Sequence, residues 1–212
     1  MALCAALAVC LAGCVTVKGG SDEPAQAESS DQAASGQEEA ISRDGGELPE
    51  GLDTSLSTVD FDGVAFSAPS SWTEDESDGK ATFADPSGRA MMVVQIEDVS
   101  ELYETTYDLM KDSEDVGDVG DYVSGFIVDM RTSSFVDEGY ASDAETMDVN
   151  GNKTSIANFQ ADNVLGGLCI MLLDGKTLVT VTVGGDDASF DDDEFDSLID
   201  MFGEVVQSIS LA

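Results

Sequence analysis

From residue 57 onward the apolar positions arrive in short runs separated by turn dipeptides. Asp62-Gly63 lies between Val59-Asp60-Phe61 and Val64-Ala65-Phe66, and Asp85-Pro86-Ser87-Gly88 separates Ala81-Thr82-Phe83 from the apolar run 90–96. Asn150-Gly151 stands between residues 146–149 and 154–159, and Asp174-Gly175 between 168–173 and 177–183. Both central residues of a type I′ turn need positive φ, which Asn, Asp and Gly tolerate best. The pattern therefore predicts hairpins and a largely antiparallel sheet. Residues 177–183 alternate Thr with Leu178, Val179, Val181 and Val183, as in a strand with one face covered.

Three segments have helical periodicity instead. In residues 100–113, Ser100 is placed as an N-cap and Leu102, Tyr103, Thr106, Tyr107, Leu109 and Met110 share a face. In residues 121–135, Tyr122, Val123, Phe126, Ile127 and Met130 recur at helical spacing. The last, with Phe195, Leu198, Ile199, Phe202, Val205, Val206 and Ile209, is the clearest. It opens on Asp191, Asp192, Asp193 and Glu194, acids that complement the exposed N–H groups of a first turn. Strands, two helices, strands and a helix make an α+β fold, most economically an antiparallel sheet with helices packed on it.

The first 56 residues obey neither period. Residues 1–14, MALCAALAVCLAGC, are small and apolar without a charge, and the stretch ends at Lys18. That is short of the ~20 residues of a membrane-spanning helix and has the character of a signal-peptide core. Its end, Leu11-Ala12-Gly13-Cys14, resembles the lipobox of bacterial lipoproteins. The resemblance implies a diacylglyceryl thioether on Cys14, cleavage before it, and attachment to the lipid bilayer through that group. One departure is that no Lys or Arg precedes the apolar run. Residues 15–56 are rich in Ser, Ala, Gly, Gln and acid, with ten carboxylates against Lys18 and Arg43. Such a composition buries too little surface to offset chain entropy and predicts a disordered acidic linker. As a flexible coil it would span roughly 35 Å. The organisation expected is signal peptide 1–13, lipidated Cys14 and linker 14–56, and a folded domain 57–212.

Composition then narrows the chemistry. The chain has 212 residues, 44 Asp+Glu, 8 Lys+Arg and no His, for a formal net charge of −36, and 42% of it is hydrophobic. Absence of His removes Ser-His-Asp and Cys-His catalysis and His-ligated zinc. The charge argues against nucleic acid as a partner, because binding phosphates takes cations. Of four cysteines, Cys4 and Cys10 would leave with the signal and Cys14 would be lipidated, so Cys169 is left without a disulfide partner. Its apolar neighbours make it a small buried hydrophobe rather than a reactive thiol.

The short motifs fail on inspection. Ser77-Asp78-Gly79-Lys80 has the Ser-x-x-Lys spacing of an acyl enzyme but the composition of a turn, and no partner motif accompanies it. Gly175-Lys176-Thr177 resembles the end of a phosphate loop, yet the earlier glycine that loop needs is Ile170. Asp148-x-Asn150-x-Asn152 begins like a calcium loop, but Lys153 and Phe159 occupy its Gly and Glu positions. Asn152-Lys153-Thr154 is a glycosylation sequon on a turn. The acidic clusters Asp112, Glu114, Asp115, Asp118, Asp121 and Asp186, Asp187, Asp191, Asp192, Asp193, Glu194 read first as solvated surface, with weak calcium binding as the chemical alternative. No catalytic residue, metal ligand or cofactor is assigned.

The run from Val64 to Trp72, with Phe66, Pro69 and Trp72 at the spacing F-x-x-P-x-x-W, resembles the opening of the PsbP-like fold. That family includes the extrinsic photosystem PsbP proteins, the Ran-binding Mog proteins and the DcrB- and LpqN-type bacterial lipoproteins. The likeness extends over about residues 57–212, though 114–137 is longer and more acidic than the pattern, as an insertion would be. It implies an α/β/α sandwich used mainly as a binding or assembly module, without a shared catalytic motif. From the residues themselves, Pro69 ends a strand and Trp72 fills the core. The function expected is that of a lipid-anchored protein on the extracytoplasmic face of the cell membrane. Its domain would bind an envelope protein or a cationic ligand without catalysis. The alternatives are a calcium- or solute-binding lipoprotein and a hydrolase using carboxylates.

Overall fold

The three hairpins expected at Asp-Gly and Asn-Gly dipeptides close on them. Asp62 and Gly63, Asn150 and Gly151, and Asp174 and Gly175 all have positive φ, between 48° and 81°, as type I′ turns require. The computed structural model describes residues 51–113 and 117–212. Along the chain run β1 (Leu56–Phe61), β2 (Val64–Pro69), β3 (Thr73–Ser77), β4 (Lys80–Ala84) and β5 (Ala90–Asp98). Helices α1 (Ser100–Met110) and α2 (Val119–Asp137) follow, then β6 (Ala141–Val149), β7 (Asn152–Ala161), β8 (Val164–Leu173) and β9 (Thr177–Asp186). A 3-10 turn (Asp187–Ser189), α3 (Asp192–Ser208) and β10 (Ser210–Leu211) end it.

The fold is α+β with a largely antiparallel sheet. Seven strands pair antiparallel in the order β3-β4-β5-β9-β8-β7-β6. The β1–β2 hairpin does not join them. It pairs with β10 in a second, three-stranded sheet. β5 is the third strand of the large sheet and β6 its far edge, so the connection through α1 and α2 crosses one face. α3 leaves β9 on the other face, beside the small sheet. Three layers result, helices on either side of the central sheet.

The strand residues divide accordingly. Met92, Val94, Cys169, Met171, Val179, Val181 and Val183 pack against Leu198, Met201, Phe202, Val205 and Val206 of α3 and Val64 and Phe66 of β2. Met91, Val93, Leu168, Ile170, Leu172 and Leu178 pack against Val123, Ile127, Val128 and Phe135 of α2. Central strands are thus covered twice. Thr180 and Thr182, expected on an open face of β9, are each 2% exposed beneath the α2 layer. The edge strands differ: β3, Thr-Glu-Asp-Glu-Ser, is exposed throughout, and β6 is exposed along most of its length with a bulge between Ser142 and Glu145. Charges and bulges on edges discourage pairing with other chains.

Two helices depart from expectation at their surfaces. The N-cap of α1 is Val99, and the Asp98 carboxylate accepts from the Ser100 N–H at 2.9 Å, so the acid and not the serine holds that end. No residue of α1 is buried despite its apolar face. In α2, Val123 and Ile127 are buried, whereas Tyr122, Phe126 and Met130 lie 45–46% exposed on the adjoining strip of the helix. What the sequence presents as one face is two. α3 stops at Ser208, and Ile209 starts the extended segment that pairs with β2.

Candidate functional site

The residues Phe66, Pro69 and Trp72 form a structural unit at the entrance to the domain. Phe66 is buried and meets Phe83 edge to face, with ring centroids 6.1 Å apart at 84°. Pro69 ends β2, and its carbonyl accepts from the Trp72 N–H at 3.3 Å. The Trp72 indole is buried, and its Nε1 donates to the Asp53 carbonyl at 3.0 Å. Ser70 N–H donates to the Ser55 carbonyl at 2.8 Å. Together these bonds fasten the chain just ahead of β1 to the core. Leu11, Ala12, Gly13 and Cys14, with Glu114 and Asp115 of the first acidic cluster, lie outside the described residues.

Five of the described acids in these clusters make local bonds. Asp118 accepts from the Asp121 N–H at 3.1 Å and caps α2, and Asp191 accepts from the Glu194 N–H at 2.8 Å and caps α3. Asp186 accepts from Ser189 Oγ at 2.9 Å, from Asn163 Nδ2 at 2.7 Å and from Ala188 N–H at 3.2 Å. The hydroxyl of Ser189 and the amide of Asn163 hold its carboxyl below the ordinary aspartate range. Glu194 pairs with Arg89 at 3.0 Å, while the Arg89 guanidinium also lies 5.3 Å over the Phe190 ring. Lys153 bridges Asp121 at 2.9 Å and Asp148 at 3.1 Å, tying α2 to the β6–β7 hairpin. Among the described residues no three Cys, Asp or Glu side chains converge as metal ligands would. Ser77 and Lys80 flank the β3–β4 turn, and Asn152 follows the turn between β6 and β7. Cys169 is fully buried, and burial pushes its thiol up to about 12.

Among the described residues a concave region lies on each face of the β6–β7 edge. Under α3, a cavity of about 290 Å³ is lined by Met147, Val149, Ile156, Ile199, Phe202 and Val206, nearly all apolar. Beside α2, a cleft of about 340 Å³ is lined by Asp129, Asp137, Thr132, Ser133, Thr146 and Ser155. Thr146 Oγ1 donates to Asp129 at 2.7 Å. Ser155 Oγ is buried on the wall of this cleft without a hydrogen-bond partner among the described residues. Sequence periodicity gave no sign of either hollow. Each lies where a helix meets the β6–β7 edge of the sheet, a matter of helix placement rather than of local pattern.

No family model matches the chain, and no curated protein matches it. Among solved structures it is similar to cyanobacterial PsbP (CyanoP) from Synechocystis sp. PCC 6803, at 16% identity and a TM-score of 0.49 over 79% of this chain and 98% of that one. A protein from Bacteroides thetaiotaomicron VPI-5482 is similar at 11% identity and a TM-score of 0.38, over 71% of this chain and 45% of that chain. A protein of unknown function, PA94 from Pseudomonas aeruginosa, described as a putative regulator, is similar at 12% identity and a TM-score of 0.31 over 63% of this chain and 84% of that one.

Proposed function

We propose that this chain is a lipoprotein, anchored through Cys14 on the extracytoplasmic face of the cell membrane, whose PsbP-like domain is a non-catalytic binding module. The observation that carries the anchor is Leu11-Ala12-Gly13-Cys14 at the end of an uncharged apolar run and ahead of an acidic linker. A binding role draws support from the fate of the reactive groups. Asp118 and Asp191 serve as helix caps, Asp121 and Glu194 as ion-pair partners, and the one described thiol is sealed in the core. An acidic surface suits a cationic partner.

Metabolic labelling with an alkynyl fatty acid tests the anchor. Wild-type protein takes up label and fractionates with membranes, and Cys14→Ser loses both. Unlabelled wild-type protein, or label retained by the serine variant, overturns the assignment.

A further inference from the structure

Among the described residues ten large hydrophobic side chains are exposed, and seven of them lie on α1 and α2: Leu102, Tyr107, Leu109, Tyr122, Phe126, Met130 and Val136. Tyr122, Phe126 and Met130 follow one another at steps of four and form a stripe along α2. Leu109 is 78% exposed, on a helix that buries no residue at all. Scattered exposed hydrophobics are ordinary, but a concentration on one helical pair marks a contact surface.

Charge identifies the occupant. Described residues 100–113 and 117–138 carry nine carboxylates and two cations, Lys111 and Arg131. Lys111 is bonded to Asp108 at 2.9 Å and Arg131 to Glu97, so both cations already face an acid of this chain. Asp129 lies beside the stripe and, with Asp137, opens into the hydroxyl-lined cleft where Ser155 Oγ lacks a partner among the described residues. A second copy would bring the same acids together, and residues 57–212 carry a net charge of −28. An anionic bilayer is repelled for the same reason.

We propose that the outer surface of α1 and α2 docks an amphipathic basic helix of a partner protein. Its apolar residues lie on Tyr122, Phe126 and Met130, and a Lys or Arg beside them enters the Asp129–Asp137 cleft. The proposal rests on the reading of the domain as a binding module and gives that module its surface and the chemistry of its partner.

The test uses the full chain carrying Cys14→Ser and a synthetic helical peptide with leucines on one face and flanking lysines. Its twin carries glutamate in place of lysine. Calorimetric titration at one ionic strength compares the chain with its Tyr122→Ser/Phe126→Ser/Met130→Ser derivative. These side chains are half exposed, and matching thermal unfolding of the two proteins shows that the fold is kept. The lysine peptide is expected to bind about tenfold or more weakly to the derivative, and the glutamate peptide not to bind at all. Equal affinity of both proteins means charge alone acts and overturns the proposal, as does equal binding of the glutamate peptide. Self-association in sedimentation that the triple substitution abolishes assigns the face to a second copy and overturns it too. The titration is independent of lipidation. A labelled Cys14 with unchanged peptide binding removes the docking face and keeps the anchor, and the opposite pair of results does the reverse.

Discussion

Phe202 of α3 rests directly on Gly167 of β8. A Cβ placed at Gly167 would lie 2.5 Å from Cε1 of the Phe202 ring, closer than real side chains approach. The glycine is what lets α3 settle onto the sheet, and the contact lies within the larger core.

Gly167→Ala should therefore destabilise the domain by about 1–3 kcal/mol, the usual range for overpacking. In the background of Phe202→Ala, itself costly by about 3–5 kcal/mol, the same alanine should cost far less, because the ring it strikes is gone. Chemical denaturation of the four proteins measures the coupling. Strict additivity would show that the ring and the glycine are not in the contact described.

Trp72 offers a separate measurement at the domain entrance. Trp72→Phe keeps an aromatic ring in the core but removes the Nε1 donor to the Asp53 carbonyl. A loss of about 1 kcal/mol is expected for the hydrogen bond, on an exposed acceptor that water can serve instead. Limited proteolysis should then cut residues 51–55 faster, since the bond ties that segment down. Unchanged cleavage there would show that Ser70, bonded to Ser55, holds the segment alone.

Local signals carried most of the architecture. Positive-φ dipeptides announced the hairpins at Asp62-Gly63, Asn150-Gly151 and Asp174-Gly175, because that backbone geometry admits few residues. The amphipathic character of α3 was equally plain, and Leu198, Phe202, Val205 and Val206 are buried as its period required. β3 went unread, since Thr-Glu-Asp-Glu-Ser has no apolar face to advertise and is a strand only through pairing with β4. The double burial of Thr180 and Thr182 was hidden for the opposite reason: alternation reports side-chain polarity, and a threonine can be covered. The second sheet, and the split of α2 into a buried and an exposed apolar edge, depend on where distant elements come to rest. That is also why the α1–α2 surface and the Asp129 cleft could not be read from the chain alone.

Asp186 gives a dependence on pH whose sign is fixed. Hydrogen bonds from Ser189 and Asn163 hold its carboxyl below its ordinary value, so the charged form is favoured in the folded state. Its stabilisation is complete above the unfolded value near pH ~4 and disappears as pH falls through the lower folded value. The difference in Tm between the wild type and Asp186→Ala should thus be widest at neutral pH and narrow on acidification below about pH 4. A gap that stays constant across that range would mean Asp186 acts through its shape and not through its charge.

Salt provides the last discrimination. Residues 57–212 hold a net charge of −28, and most of the acids are solvated, so self-repulsion opposes the compact state. Screening acts over a Debye length of about 10 Å at 0.1 M, and sodium chloride should raise Tm smoothly as concentration increases. Calcium chloride at matched ionic strength should raise it only as magnesium chloride does, because no three carboxylates converge among the described residues and Asp118, Asp121, Asp191 and Glu194 are drawn into helix caps and pairs with Arg89 and Lys153. A site that bound calcium would add a stabilisation growing with the logarithm of its concentration over the dissociation constant. A saturable, calcium-specific rise in Tm at millimolar concentrations would therefore restore calcium binding as a function of this domain, and its absence leaves the acids as a surface shaped for cationic partners.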